Sequence, residues 1–106
     1  MRPFKIGVIT DSFRLPLYDG VKAAKSVGAD GVQVYAVQGD MSPEMTPDAR
    51  KKFRDACAEQ KLEISALCGD LGGHGFQRAD ENKKKIPRSK QIVDLAVDVG
   101  TKVVTT

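Results

Sequence analysis

Short apolar segments alternate with amphipathic segments along the whole chain. Residues 5–10, 31–37, 63–67 and 102–106 are predicted strands, and each gap between them is long enough for one helix. Neighbouring parallel strands require such crossover connections, so this alternation predicts a parallel α/β sheet. In parallel-sheet enzymes the functional residues lie just beyond the C-terminal ends of the strands. Those ends are therefore where a site is expected.

Three helices are predicted between the strands. Residues 18–27 are followed by Gly28, a common helix stop, and the second helix begins at Thr46, a favourable N-cap. The third helix is predicted for residues 88–99. Pro87 cannot lie inside an unbroken helix, so it either starts this helix or kinks it. The predicted buried positions are Val21, Ala24, Val27, Ala49, Phe53, Ala56, Cys57, Ile92, Leu95, Ala96 and Val99.

Length and composition restrict the possible classes of protein. The 106 residues make at most one domain, well below the ~250 residues of a closed (β/α)8 barrel. A hydrophobic content of 41% and a charged content of 29% are ordinary for soluble globular proteins. A net charge of +3 selects no partner, and an aromatic content of 6% without Trp argues against nucleic-acid binding by base stacking.

The same composition predicts a cytoplasmic protein that does not bind membranes. The sequence contains no stretch of about 20 consecutive apolar residues and no apolar leader at its start. Cys57 and Cys68 form neither a disulfide framework nor a metal-binding spacing, which favours a reducing compartment.

Two other α/β folds agree less well with the motifs. A dinucleotide-binding unit requires a glycine-rich turn after the first strand, and residues 10–13 contain no glycine. A flavodoxin-like, receiver-type binding module fits the length better and could be phosphorylated on Asp70. Receiver domains collect several acids after their first strand, whereas this chain has only Asp11 there. The receiver-type module stays open as a non-catalytic alternative.

The loop after the third strand carries the strongest candidates for function. Asp70 and His74 lie among four glycines, Gly69, Gly72, Gly73 and Gly75. Such a loop allows positive φ angles and close approach of a ligand to the backbone. His74 is the only histidine of the chain and therefore the candidate for imidazole acid–base catalysis. Asp70 is predicted to bind substrate, or else to satisfy backbone donors.

Other polar residues near the strand ends are also candidate substrate-binding positions. Asp11 either contacts the substrate or closes a turn, and the Tyr35 ring either forms a pocket wall or packs at the edge. Thr105 and Thr106 end the fourth strand, where their hydroxyls would face a polyol or a phosphate. Cys68 follows the third strand and is more typical of a small core residue than of a nucleophile.

A basic run lies around the start of the predicted third helix. It comprises residues 83–85, Arg88 and Lys90. The prediction is a solvated helix face, with contact to a phosphate as the alternative.

Four segments resemble a known family: KIGVITDSF, VGADGVQVYA, EISALCGDLGGHGF and SKQIVDLAVDVGTKVVTT. They are similar to the N-terminal half of the sugar phosphate isomerase/epimerase family, which has the xylose-isomerase-like TIM barrel. The resemblance implies that residues 1–106 are a single domain, namely three βα units plus a fourth strand, or roughly half a barrel. One departure is Gln33, where many members carry Glu.

The resemblance also implies a function and its cofactor. The expected activity is isomerisation or epimerisation of a small sugar or sugar phosphate, assisted by a divalent cation such as Mn²⁺, Mg²⁺, Co²⁺ or Zn²⁺. The metal ligands and the main acid–base pair of that family come later than this half, so the chain alone is expected to be inactive. The same superfamily includes metal-dependent apurinic endonucleases, so a DNA-repair protein of that type is a second open alternative. Those enzymes use several early histidines and a strongly basic groove, and the single histidine of this chain argues against them.

The assembly state follows from the half-barrel expectation. Halving a barrel uncovers its inner apolar face and leaves the first and fourth strands as open edges. We therefore expect a homo-oligomer or association with a C-terminal half, rather than a bare monomer.

Overall fold

The computed structural model describes residues 3–73 and 75–106. Within this part of the chain the strands are β1 (Gly7–Ile9), β2 (Gly31–Tyr35), β3 (Glu63–Cys68) and β4 (Val104–Thr105). They form one parallel sheet in the order β1-β2-β3-β4. This confirms the predicted parallel sheet, although β1 and β4 are shorter than predicted. A flavodoxin-like sheet would place its first strand between the second and third, so the observed order excludes that fold.

The helices follow the strands in alternation. They are a 3₁₀ helix (Thr10–Phe13), α1 (Leu17–Ser26), α2 (Pro47–Glu59) and α3 (Ala79–Val99). The predicted cap of α2 is confirmed, because Thr46 Oγ1 accepts a hydrogen bond from the Ala49 amide at 3.1 Å. None of the helices in the described ranges is both long enough and apolar enough to cross a bilayer.

The predicted start of α3 at residue 88 was wrong. The helix begins at Ala79, and Pro87 lies inside it. Asp80 and Glu81 occupy its first turn, where negative charge is favourable. Pro87 is exposed, so the carbonyl that loses its hydrogen bond to the missing proline N–H can be solvated by water. The cost of that one lost bond is therefore limited.

All three α-helices pack on the same face of the sheet. One continuous core joins Val32, Val34 and Leu67 of the sheet to the following buried helix residues: Val21, Ala24, Phe53, Cys57, Ile92, Leu95, Ala96 and Val99. Val27, predicted to be buried, is exposed because it caps α1 where the chain turns at Gly28. Ala49 and Ala56 are only partly buried.

The other face of the sheet is only partly covered. Ile9 and Tyr35 on this face are 41% and 47% exposed. The strand register aligns Ile9 with Gln33 and aligns Tyr35, Cys68 and Thr105 in one row. In a closed barrel this face would point inward. A sheet with helices on one face and an uncovered inner face is the arrangement of a partial TIM barrel.

Candidate functional site

The C-terminal ends of the four strands meet at one edge of the sheet, where the described residues form two cavities. The first cavity, of about 420 Å³, lies beyond β1 and β2 and is lined by residues that include Asp11, Tyr35 and Asp40. The second cavity, of about 220 Å³, lies beyond β3 and β4 and is lined by residues that include Asp70 and Thr106. The predicted site residues Asp11, Tyr35, Asp70 and Thr106 are thus divided between two neighbouring cavities.

In the first cavity the Asp11 side chain, just after β1, forms a hydrogen bond to the backbone of β2. Its Oδ1 accepts a hydrogen bond from the Tyr35 amide at 3.0 Å. This contact fixes the carboxylate and leaves Oδ2 without a hydrogen bond to any described residue. The half-exposed Tyr35 ring lines the same cavity. The Asp11 side chain therefore links the end of β1 to the neighbouring strand β2 and lines the cavity, and its contact with a substrate stays a prediction.

In the second cavity Asp70 is held by its own loop. Its Oδ1 accepts a hydrogen bond from the Gly72 amide at 2.8 Å, two residues further along. Asp70 therefore does satisfy a backbone donor, and it also lines the cavity together with Thr106. His74, the predicted acid–base residue, lies outside the described residues, so its catalytic role stays a prediction.

A side-chain bridge crosses the sheet between the two cavities. The Nε2 group of Gln33 on β2 donates a hydrogen bond to Oγ1 of Thr105 on β4 at 3.1 Å. The bridge spans β3, where the small Ala66 is aligned with Gln33. The hydroxyl proton of Thr105 stays available for another acceptor, because Thr105 is the acceptor in this bridge. Gln33 is a site residue that sequence reasoning noted only as a departure from the family pattern.

The two cysteines have different surroundings. Cys57 is buried in the helix-side core, and burial raises the pKa of its thiol to about 11. Such a thiol is a core residue rather than a nucleophile. Cys68 is also buried, but it lies in the same row as Tyr35 and Thr105 on the inner face of the sheet. Cys68 lines neither of the two cavities, so its predicted substrate contact stays a prediction.

Basic side chains from the helices hold the loops that line the cavities. Arg88 on α3 donates to the Val37 carbonyl at 2.7 Å and also pairs with Glu44. The hydrogen bond from the Arg88 guanidinium lowers the pKa of the Glu44 carboxyl. Lys85, one turn earlier, donates to two carbonyls of the glycine-rich loop.

These contacts correct the interpretation of the basic run. Lys83, Lys84 and Lys90 are exposed, as a solvated helix face requires. Lys85 and Arg88 instead point at the loops, and sequence reasoning missed this role. The missed signal was their spacing along α3, which continues the buried stripe of that helix toward its N-terminus.

Metal-binding side chains are not grouped in the described part of the chain. No three His, Cys, Asp or Glu side chains there lie close enough together to hold an ion. Asp11 and Asp70 line different cavities, and each already accepts a backbone hydrogen bond.

Comparison with known proteins identifies a matching family and solved structures with a similar fold. A family model described as a xylose isomerase-like TIM barrel matches residues 21–106. A solved structure of a xylose isomerase-like TIM barrel/4-hydroxyphenylpyruvate dioxygenase fusion protein is 24% identical, with a TM-score of 0.70 over 97% of this chain and 16% of the other. A xylose isomerase domain protein from Planctomyces limnophilus is 19% identical, with a TM-score of 0.73 over 95% of this chain and 40% of the other. No curated protein matches.

Proposed function

The chain belongs to the xylose isomerase-like TIM barrel family, and we propose that it forms the N-terminal half of the active site of a sugar or sugar-phosphate isomerase or epimerase. The two solved relatives support the fold alone, and this chain spans 16% and 40% of their lengths. The remaining strands of the proposed barrel come from outside these 106 residues. In this proposal residues 1–106 are one domain, inactive without that second half.

One observation carries the proposal: hydroxyl and carboxylate groups collect at the C-terminal ends of all four strands. Asp11, Tyr35, Asp70, Thr105 and Thr106 lie at this edge, with Cys68 between them in the sheet. Hydroxyls and carboxylates are suitable partners for a polyhydroxylated substrate, since each sugar hydroxyl both donates and accepts hydrogen bonds. Active sites of TIM barrels lie at this end.

These residues would position the substrate rather than carry out the whole reaction. Asp11 Oδ2 and the Tyr35 ring would form one wall of the pocket, while Asp70 and the threonine hydroxyls would bind sugar hydroxyls on the other side. A divalent cation (Mn²⁺, Mg²⁺, Co²⁺ or Zn²⁺), held by ligands outside this chain, would polarise the substrate carbonyl. His74 is the candidate within this half for moving a proton at the adjacent carbon.

The activity can be tested with the native reading frame that contains these residues. The purified product would be incubated with Mn²⁺ and a panel of pentoses, hexoses and their phosphates in D₂O. Isomerisation through proton transfer exchanges the hydrogen on the carbon next to the carbonyl for deuterium, which NMR detects. We expect exchange for one substrate class, its loss in Asp70→Asn, and its retention in the exposed-residue control Lys84→Met. Absence of both exchange and isomerised product across the panel would refute the proposed activity, whereas product without exchange would refute the proton transfer assigned to His74.

We further propose that the inner face of the sheet is covered by other strands, either those of a C-terminal half or those of a second copy. The half-exposed Ile9 and Tyr35 lie on this face, and β1 and β4 are open edges. Light scattering of the 106-residue chain at micromolar concentration tests this. A stable monomer of 11.5 kDa would contradict it.

A further inference from the structure

Lys85 is enclosed by the glycine-rich loop. Its side chain is only 13% exposed. The ammonium donates to the Gly72 carbonyl and to the Gly75 carbonyl, both at 2.8 Å, and lies 3.5 Å from Glu81 Oε2. An ammonium group has three donors. Two carbonyls and one carboxylate therefore satisfy Lys85 completely.

The loop adopts a conformation that only glycine takes readily. Gly72, Gly73 and Gly75 have φ angles of 78°, 66° and 62°. These angles let the backbone turn its carbonyls toward the ammonium. A Cβ atom on Gly73 would lie 3.1 Å from Lys85 Nζ, which is closer than ordinary contact. The enclosed lysine thus restricts position 73, whereas Gly72 and Gly75 are required for their positive φ angles.

The contact at Gly72 links Lys85 to Asp70. The Gly72 carbonyl accepts from Lys85, while the amide of the same residue donates to Asp70 Oδ1 at 2.8 Å. A movement of Gly72 would therefore break or bend both bonds. Lys85 fixes the carboxylate of Asp70 through this one residue, although it does not itself contact Asp70.

The charges around the second cavity follow from these contacts. Among the described side chains, Asp70 and Lys85 line the cavity and Glu81 contacts Lys85, so these three sum to one negative charge, and each donor of the Lys85 ammonium already has an acceptor. A phosphate carries nearly two negative charges at neutral pH, so it would meet repulsion and no available ammonium proton. A neutral polyol would instead find the Asp70 carboxylate as an acceptor and the Thr106 hydroxyl as a donor.

We propose that Lys85 is a positioning residue that clamps the glycine-rich loop and orients Asp70, so that the second cavity binds the uncharged hydroxyl end of a substrate and not a phosphate. The assignment of a sugar-like substrate to this cavity rests on the proposed function. The clamp itself rests only on the contacts of Lys85.

The clamp is tested by NMR on the 106-residue chain. A hydrogen-bonded ammonium exchanges its protons slowly, so Lys85 should give a lysine side-chain signal that is lost in Lys85→Met and kept in Lys84→Met. Amide exchange at Gly72, whose N–H donates to Asp70 Oδ1, should become at least about tenfold faster in Lys85→Met, because the Gly72 carbonyl then loses the charge-assisted hydrogen bond that holds this residue in place. It should stay unchanged in the exposed control Lys84→Met, and Lys85→Arg should restore part of the protection. Equal exchange in Lys85→Met and Lys84→Met would overturn the clamp.

The ligand preference is tested by titrating the labelled product of the native reading frame, which would supply the other half of the site, with inorganic phosphate and with xylitol at equal concentrations. We expect xylitol to shift the amide signals of residues 70–72, and phosphate to leave the Lys85 side-chain signal unchanged. A shift of that signal by phosphate, or no response to xylitol, would refute the assignment. Neither readout depends on turnover. An intact clamp in an inactive full-length protein would therefore refute the proposed function while leaving the clamp in place.

Discussion

Arg50 fastens the loop between β2 and α2 to the body of the protein. Its Nε donates to the Met45 carbonyl at 3.1 Å, its Nη2 donates to the Pro43 carbonyl at 2.7 Å, and its Nη1 pairs with Asp98 at 2.7 Å. The Arg50 side chain is only 16% exposed. This loop also lines the first cavity. Replacing Arg50 with Met keeps the apolar stem and removes all three polar contacts.

The expected loss of stability follows from these contacts. Hydrogen bonds from a charged donor contribute about 1.5–3 kcal/mol each, and the lower end applies here because water can reach a surface loop. The two carbonyl contacts then account for about 3 kcal/mol. Asp98 is half-exposed, so its ion pair adds only about 0.2–1 kcal/mol. A loss of about 3 kcal/mol is a large part of the roughly 5–15 kcal/mol that stabilises a typical domain.

Urea unfolding followed by circular dichroism measures this loss. Arg50→Met should lower the midpoint with an unchanged slope, since the surface exposed on unfolding stays the same. Arg54→Met is the matched control, because Arg54 lies one turn along α2 and is exposed. Asp98→Asn should cost less than about 1 kcal/mol.

Two results would contradict this account. If Arg50→Met unfolded at the same urea concentration as Arg54→Met, the loop contacts would not stabilise the fold. If Asp98→Asn reproduced the full loss, the ion pair rather than the backbone contacts would hold the loop.

Two further predictions concern the core. Phe53 is fully buried, and its ring centre lies 6.3 Å from that of Tyr18. Phe53→Ala should therefore lower the free energy of unfolding in urea by about 3–5 kcal/mol. Phe4→Ala, at an exposed position, should lower it by less than about 0.5 kcal/mol. Burial raises the pKa of the Cys57 thiol from 9.0 to about 11. The thiol therefore loses its proton at lower pH in the unfolded state than in the folded state, so the free energy of unfolding should decline between these two pH values. Cys57→Ala should abolish that part of the decline.

The parallel sheet could be predicted because it follows from local pattern. Each apolar strand segment is followed by a helix and a turn, and right-handed crossovers then place successive strands side by side. Strand lengths were less predictable. The apolar run of residues 102–106 predicted a full strand, but only Val104–Thr105 pairs with β3. The extent of pairing depends on the neighbouring strand, which the local sequence does not describe.

The loop-holding role of α3 was missed because of one local rule. Because Pro87 either starts a helix or kinks it, the predicted helix comprises residues 88–99 and leaves out residues 79–87, which belong to α3 in the structure. Had the helix been extended back to Ala79, Lys85 and Arg88 would have continued the spacing of Ile92 and Leu95 on the buried side. A basic residue on a buried stripe requires acceptors, and carbonyls of an adjacent loop are the usual supply.

The bridge from Gln33 to Thr105 could not have been predicted at all. The two residues are 72 positions apart, and their contact depends on the sheet register and on the small side chain of Ala66 between them. Neither residue type indicates a partner by itself. Candidate residues at strand ends can thus be chosen from the sequence, whereas the hydrogen bonds that orient them depend on the assembled sheet.

The two cavities are constructed in the same way, and this connects the outer helices to the site. Each cavity is lined by a loop whose carbonyls are held by a basic side chain from α3, Arg88 for the first and Lys85 for the second. These two residues lie about one turn apart on a single helix. A displacement of α3 would therefore move the Val37 and Gly72 carbonyls together, and with them the walls of both cavities. The geometry at the strand ends thus depends on how α3 packs against the sheet, as well as on the strands themselves.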